Sequence, residues 1–312
     1  MSKPSVGGIT FYIIFLLAVA CYSIFFSPSQ VFYNTKFVGL LLSMALGFII
    51  GLADDAYDTK PFLKFFIQIA CGAIMFTSGL RIELFDSWIL NMGITIFWVV
   101  GIMNSVNMLD NMDGITTIVS LGIIISVITI IISNRDFENM HLIILVGLVG
   151  ALLSFLYFNW HPSRMYMGDT GSQFLGALLS AIGIIYLWND VYQTDQGIVS
   201  RKLTMVIMCF ILPIIDTTCV VINRLSQGKS PFIGGKDHTT HSLAYLGLSD
   251  RQVAMVFCGL ALFSVLQVYL IEFHLRNWDH VFTVVFLSYF LLLLSYFMYS
   301  TRRSIRNMDK KS

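Results

Sequence analysis

The chain has 312 residues, of which 56% are hydrophobic and only 12% charged, and its formal net charge is +1. Soluble domains carry roughly 25% charged residues, so this composition excludes a water-soluble globule, and the balanced charge removes any global signal for nucleic acid. The five cysteines, Cys21, Cys71, Cys209, Cys219 and Cys258, are scattered through apolar runs without a CxxC pair, and point to neither a disulfide framework nor a zinc site.

A membrane-spanning helix needs about 20 mostly apolar residues. In chain order, ten segments approach this: 9–26, 37–53, 62–79, 92–109, 114–133, 142–158, 171–188, 202–222, 252–272 and 279–299. One Lys and no small-residue cleavage site precede the first, which reads as a retained helix. No repeat or long Pro/Gly linker divides the chain. The prediction is an all-α polytopic integral membrane protein of about ten transmembrane helices, one domain over 1–312, with a long loop at 223–250 and a basic tail at 300–312.

Polar clusters interrupt this apolar pattern at four places. The second segment ends in Gly51-Leu-Ala-Asp54-Asp55-Ala-Tyr-Asp58. Asp54 and Asp58 share a face if the helix continues. Adjacent carboxylates demand a counter-charge, from Mg²⁺ or from Lys60 and Lys64. A solvated helix end is the plain alternative, although acids at a helix C-terminus oppose the macrodipole. The fourth segment runs into Asn104-Ser-Val-Asn107-Met-Leu-Asp110-Asn111-Met-Asp113-Gly114. Asn104, Asn107 and Asp110 form one polar stripe on a helix, inside an apolar run where polar groups face a cavity or a partner. Asn111 and Gly114 both tolerate a turn with positive φ.

The sixth segment is followed by Asn159-Trp-His-Pro162-Ser-Arg164-Met-Tyr-Met-Gly168-Asp169-Thr-Gly171-Ser172. A glycine-flanked Asp169 at a helix start suits anion binding, metal binding or simple N-capping. Last come Asp216 inside the 202–222 segment, Asn223-Arg224, and Lys236-Asp237-His238-Thr-Thr-His241. A basic loop with two imidazoles suits phosphate better than zinc, because no third ligand of suitable type follows.

Ten spans put both ends of the chain on one side. That side holds Lys3, Lys60, Lys64, Arg164, Arg224, Lys229, Lys236, Arg251, Arg302, Arg303, Arg306, Lys310 and Lys311, thirteen against the six of Lys36, Arg81, Arg135, Arg201, Lys202 and Arg276. The positive-inside rule makes it cytoplasmic, and all four polar clusters fall there. Carboxylates collected beside bases at a membrane surface suggest Mg²⁺-assisted phosphoryl chemistry on a lipid-borne reactant.

The ordered motifs resemble the polyprenyl-phosphate N-acetylhexosamine-1-phosphate transferases, glycosyltransferase family 4. That family includes the translocase that starts peptidoglycan lipid synthesis and the GlcNAc-1-phosphate transferases that start other envelope polysaccharides. The resemblance runs from Pro4-Ser-Val-Gly7-Gly8 to about Leu248. Asp54 and Asp55 match the family's first aspartate pair, and Lys64 and Gln68 a Lys and Gln on the following helix. Asn104, Asn107, Asp110, Asp113 and Gly114 match its Asn-x-x-Asn-x-x-Asp-Gly-x-Asp-Gly motif. Asp169 matches an aspartate associated with Mg²⁺, Pro213, Asp216 and Arg224 the last span, and His238 and His241 the outer residues of the histidine motif. Three departures stand out: Asn111 replaces the usual Gly, Thr240 replaces a middle histidine, and the family's additional first helix does not precede Pro4.

The resemblance implies transfer of a sugar 1-phosphate, GlcNAc-1-phosphate in preference, from a UDP-N-acetylhexosamine to undecaprenyl phosphate with release of UMP, in a bacterial cytoplasmic membrane. It also implies Mg²⁺, with Mn²⁺ as a substitute, held by Asp169 with Asp113 or Asp110, and a homodimer among membrane lipid. Asp54 or Asp55 is then the acceptor of the lipid phosphate's proton, or a covalent nucleophile. Asp110, Asp113 and Arg224 act at the reacting phosphates, and Lys64, Asn104, Asn107, His238 and His241 bind substrate. Alternatives are the phospho-MurNAc-pentapeptide transferase reaction, a secondary transporter, and an inactive lipid-binding homologue.

Overall fold

The computed structural model describes residues 3–26, 33–189, 199–230, 235, 237–275 and 277–309, with side chains to 304. Lys236, a candidate of the basic loop, lies outside the described residues, as do Arg276, Lys310 and Lys311. Among the described residues there are twelve α-helices and no strand: α1 Gly7–Phe25, α2 Thr35–Tyr57, α3 Pro61–Thr77, α4 Trp88–Leu109, α5 Ile115–Ser133, α6 Met140–Asn159, α7 Gly168–Gly183, α8 Val199–Cys209, α9 Ile211–Ser226, α10 Thr239–Tyr245, α11 Asp250–Phe273 and α12 His280–Asp309. A π-helical turn, Ile184–Trp188, prolongs α7.

Each of the ten apolar segments maps onto this order. Eight helices among the described residues are long and apolar enough to cross a membrane, or nine with the pair α8 and α9 taken as one. The chain is a multi-pass membrane protein. The third segment, α3, has 17 residues, about 25 Å of helix at a rise of 1.5 Å per residue, slightly short of a hydrocarbon core about 30 Å thick.

Two boundaries differ from expectation. The 202–222 segment is not one straight span: α8 and α9 meet at Phe210 with a bend of 78°. Pro213 sits in the first turn of α9, where its missing N–H costs nothing because no intrahelical acceptor is available there. The 300–312 tail begins as helix, since α12 runs to Asp309 and buries Ser300, Thr301 and Ser304.

Local chemistry sets the helix starts. Asn34 accepts the backbone N–H groups of Lys36 and Phe37 at the head of α2, Asn139 that of His141 at the head of α6, and Ser249 and Gln252 form a reciprocal capping box on α11. The core is built around α7. Of its apolar stretch 94% is buried, against 6% for α12, which faces outward. Small side chains (Gly171, Ser172, Gly176, Ala177, Ser180) let α1, α2 and α4 pack closely on α7. The Trp98 indole donates to the Ser180 carbonyl at 3.0 Å.

A buried amide network joins three helices near one end. Gln68 of α3 donates to Gln173 of α7 at 3.1 Å, and Asn104 of α4 donates to Gln68 at 2.7 Å. The first described residues reach this end of the bundle, where the Lys3 ammonium donates to Ser163; α12 starts beside α8, with His280 3.3 Å from Ser200, and also packs on α10.

Candidate active site

The polar clusters meet where α2, α4, α6 and α9 end and α3, α5, α7, α10 and α11 begin. The N-terminus of α7 organises the meeting point. Asp55, from the last turn of α2, receives the backbone N–H of Asp169 at 2.8 Å and that of Thr170 at 3.0 Å, with the Thr170 hydroxyl at 2.6 Å. A carboxylate from another helix thus caps α7 and opposes the positive end of its dipole. Gly168 makes the approach possible. Its φ is +74°, and a Cβ there would lie 2.6 Å from the Asp55 carboxylate.

Asp54 is engaged as firmly. Its Oδ1 accepts the Thr59 N–H at 2.9 Å and the Thr59 hydroxyl at 2.5 Å. Its Oδ2 pairs with Lys64 Nζ at 2.5 Å, and the same ammonium lies 2.8 Å from Asp169 Oδ2. Of the counter-charges expected for the acid pair, Lys64 meets Asp54, while Asp55 is met by the head of α7. Asp58 takes no part in a shared helix face: α2 stops at Tyr57 and Asp58 turns left-handed at φ 49°.

Asn107 reaches Asp169 from the other side, donating to Oδ1 at 3.0 Å and to Ser172 Oγ at 2.9 Å. Asn104, one turn back, faces Gln68 instead. The stripe predicted on α4 exists, and its two amides have different partners.

Past α4, Asp110 is partly buried beside Asp169, Asp55 and Asp113. Burial first, then the negative charges of those neighbours, pushes its carboxyl up to about 7. Asp113 turns toward the loop before α7, where its Oδ2 accepts His161 Nδ1 and the Ser163 N–H, both at 3.0 Å. Gly114 bends the chain into α5 at φ +79° and donates to Asn159, whose amide in turn donates to the Met165 carbonyl.

The histidine segment closes over this loop. Buried Asp216 of α9 accepts His238 Nδ1 at 3.0 Å, the Thr239 N–H at 2.9 Å and the Thr239 hydroxyl at 2.6 Å, which pins the start of α10. Residues 239–245 are helical inside what reads in the sequence as a loop. His238 is buried with Asp216, whereas His241 is partly exposed, its ring centroid 6.2 Å from that of His238. Arg224 is forked onto Asp237, with both N–O distances 2.7 Å. Burial alone would raise the Asp237 pKa, but this guanidinium holds it below the ordinary carboxylate value. A phosphate arriving at Arg224 competes with Asp237 for the guanidinium.

Two of the three departures noted in the sequence touch each other. The Thr240 hydroxyl, fully buried, donates to Asn111 Oδ1 at 2.6 Å, and Asn111 Nδ2 donates to the Met108 carbonyl at 2.7 Å. The side chain that replaces a glycine and the one that replaces a histidine are thus partners across 129 residues of sequence.

The structure brings together Asp54, Asp55, Lys64, Asn107, Asp110, Asp113 and Asp169, and links His238 and His241 to them through α10. Residues that the sequence reading passed over are Thr59, Gln173, His161, Asp237 and Asp250. Of these, His161 stood within the third polar cluster, and Asp250 stood inside the Ser249-x-x-Gln252 pattern that marks a helix start.

The donor set bears on a divalent cation. Among the described residues no three or more His, Cys, Asp or Glu side chains form a ready-made metal cage. Mg²⁺ does not need one, since it is commonly held by one or two carboxylates together with substrate phosphates and water. Asp110, crowded by three other carboxylates, marks a spot short of positive charge, and with Asp169 it fits such a cation. Asp113 has Oδ2 engaged by His161 and Ser163, and Asp169 has Oδ1 engaged by Asn107 and Oδ2 by Lys64, so a cation competes with donors at either carboxylate.

Residues 37–187 match the model of glycosyl transferase family 4, a stretch that contains every site acid from Asp54 to Asp169. Among curated relatives, the chain is 27% identical over 282 residues to a probable undecaprenyl-phosphate N-acetylglucosaminyl 1-phosphate transferase of Bacillus subtilis, covering 86% of this chain and 70% of that protein. It is 27% identical over 277 residues to the decaprenyl-phosphate N-acetylglucosaminephosphotransferase of Mycolicibacterium smegmatis, covering 81% and 68%. A phospho-N-acetylmuramoyl-pentapeptide-transferase of Streptococcus agalactiae is 34% identical over 200 residues, covering 58% of this chain and 59% of that protein.

Proposed function

We propose that the chain, whose residues 37–187 match the model of glycosyl transferase family 4, transfers N-acetylglucosamine 1-phosphate from UDP-N-acetylglucosamine to undecaprenyl phosphate, releasing UMP. The observation that carries this reading is the meeting of Asp54 and Asp169 on the Lys64 ammonium, with Asp55 on the head of α7 and Asp110 and Asp113 close by, at one end of a membrane bundle. Such a site is short of cations and receives the polyphosphate of a soluble donor beside a lipid-borne acceptor.

In the reaction, an oxygen of the lipid phosphate attacks the β-phosphorus of the nucleotide sugar. A new P–O–P linkage forms as the bond to the uridine-bearing phosphate breaks, and UMP leaves with that electron pair. One phosphoanhydride replaces another, so the reaction runs close to equilibrium. The second pKa of a phosphate monoester is about 6, so at neutral pH most of the nucleophile is already ionised. This suits a site where Asp54 and Asp55 have donors on both oxygens and serve to fix α3 and α7. The work of the protein is then to hold two anions in line.

Lys64 is placed to neutralise a phosphate oxygen once substrate competes for it with Asp54 and Asp169. Asn107 keeps Asp169 oriented, and the partly exposed His241 faces incoming phosphates with an N–H donor. Asp110 and Asp169 would hold Mg²⁺, which supplies charge neutralisation and Lewis acidity to the diphosphate. The membrane is a bacterial cytoplasmic membrane, with the site and both ends of the chain on the cytoplasmic side.

GlcNAc is favoured over MurNAc-pentapeptide by extent. The GlcNAc relatives align over 86% and 81% of this chain and so reach beyond α7, whereas the pentapeptide relative aligns over 58%. A transporter reading loses its best support, since the intramembrane Asp216 is bound to the head of α10. Mass spectrometry of the lipid product tests the proposal. Purified protein with undecaprenyl phosphate, Mg²⁺ and a mixture of UDP-GlcNAc, UDP-GalNAc and UDP-MurNAc-pentapeptide should yield undecaprenyl-diphospho-GlcNAc. A different sugar on the lipid refutes the donor, and unmodified lipid refutes the reaction.

A further inference from the structure

We infer that His161 is a positioning residue for the reaction proposed above, fixing the carboxylate of Asp113 through its Nδ1–H. The inference rests on that reading for the importance of Asp113, and on the following geometry for the role of His161.

His161 Nδ1 lies 3.0 Å from Asp113 Oδ2 and 3.4 Å from Asp250 Oδ2. Ionised carboxylates only accept hydrogen bonds, so a nitrogen facing two of them carries a proton. The ring therefore presents Nδ1–H to Asp113, whether the imidazole is neutral or charged. Asp113 Oδ2 also takes the Ser163 N–H at 3.0 Å. Two donors from one turn, residues 161 and 163, thus grip one carboxylate oxygen.

The turn itself is held from outside. Arg251 Nε donates to the His161 carbonyl at 3.1 Å, Lys3 Nζ donates to Ser163 Oγ at 3.0 Å, and the Tyr166 N–H donates to the Pro4 carbonyl at 3.0 Å. His161 is consequently the point where the head of α11 and the N-terminal segment act on the loop between α4 and α5. Its side chain is 35% exposed and that of Asp113 17%, so the contact sits at the rim of the site and is open to substrate. An imidazole that orients a functional carboxylate in this way, itself anchored by a second carboxylate, follows the logic by which outer partners fix the groups that do the chemistry.

Amide substitutions separate the two ring nitrogens. The Asn side-chain NH₂ occupies nearly the place of Nδ1, whereas Gln places its NH₂ near Nε2. For UMP release with saturating undecaprenyl phosphate, we expect His161→Asn to stay within about 3-fold of wild-type kcat, and His161→Gln and His161→Ala to lose about 10–100-fold, with KM for the UDP-sugar little changed. Loss of the loop geometry should also appear without turnover, as faster amide hydrogen exchange in the peptide around 110–116 in the Gln and Ala variants but not in the Asn variant. Equal losses for Asn and Gln, full activity of the Ala variant, or a rise in KM at constant kcat each overturn the inference. If wild-type protein releases no UMP from any donor, the proposed function falls, and the exchange comparison still decides the role of His161.

Discussion

The contact between Thr240 and Asn111 makes a sharp prediction about two substitutions that look independent in the sequence. Thr240 is fully buried and its hydroxyl reaches Asn111 Oδ1 at 2.6 Å. Thr240→Val removes the donor and strands an acceptor, which in a buried site costs about 1–3 kcal/mol. Asn111 is only partly buried, so water reaches it, and the lower end, about 1 kcal/mol, is the better figure. If the contact persists in the transition state, that is about 5-fold in kcat/KM. Thr240→His alone has no room beside the Asn111 side chain and should lose far more. Asn111→Gly opens the space, so the double variant Asn111→Gly/Thr240→His should recover at least about 10-fold over Thr240→His, a coupling above about 1.4 kcal/mol. The assay is UMP release for the four members of the cycle, with thermal midpoints in detergent as the control for folding. Additive effects of the two substitutions would show that the residues do not act as a pair, and would refute the reasoning.

Other outcomes follow from the same geometry. Asp110, with a carboxyl raised to about 7 from the ordinary 3.8, binds a proton in the fold that the unfolded chain would release; metal-free protein should therefore lose stability as pH rises from about 4 to about 7, and the apparent affinity for Mg²⁺ should increase through the same window, with Asp110→Asn flattening both curves. Lys64→Gln leaves Asp54 and Asp169 without their shared cation and should lower both the thermal midpoint and kcat, the latter by about 100-fold or more; retained activity would remove Lys64 from the site. Gly168→Ala forces a Cβ to within 2.6 Å of Asp55 at a positive φ and should cost about 2 kcal/mol or more, read as a lower thermal midpoint.

The helical architecture was largely legible because burial in lipid and burial in protein both demand apolar residues, and ten runs of them are visible. What periodicity could not show was how each run is used. The stretch 202–222 has the composition of one span but bends at Phe210, and only Pro213, in the first turn of α9, hinted at a new helix start. At the site, residue types and spacing located the acids, but their partners depend on tertiary contacts. An acid pair followed by Lys60 and Lys64 points to a lysine or Mg²⁺ as counter-charge, but only the fold selects Lys64 and directs it to Asp54 and Asp169. The pairings of Arg224 with Asp237 and His238 with Asp216 are not legible either, because the loop between them reads as phosphate-binding and nothing local shows that a buried carboxylate waits on α9. His161 is silent in the sequence, since one histidine beside a proline carries no signal until Asp113 is placed against it.

UMP release by purified protein given undecaprenyl phosphate, Mg²⁺ and UDP-GlcNAc is the most direct test of the account, run beside a lipid-free control and Asp169→Asn. The account predicts release that needs both lipid and Mg²⁺ and that falls by at least about 100-fold in the variant, whose amide keeps the size of Asp169 but cannot balance Lys64 or hold a cation. Release that persists undiminished in Asp169→Asn, or that proceeds without lipid, would contradict it.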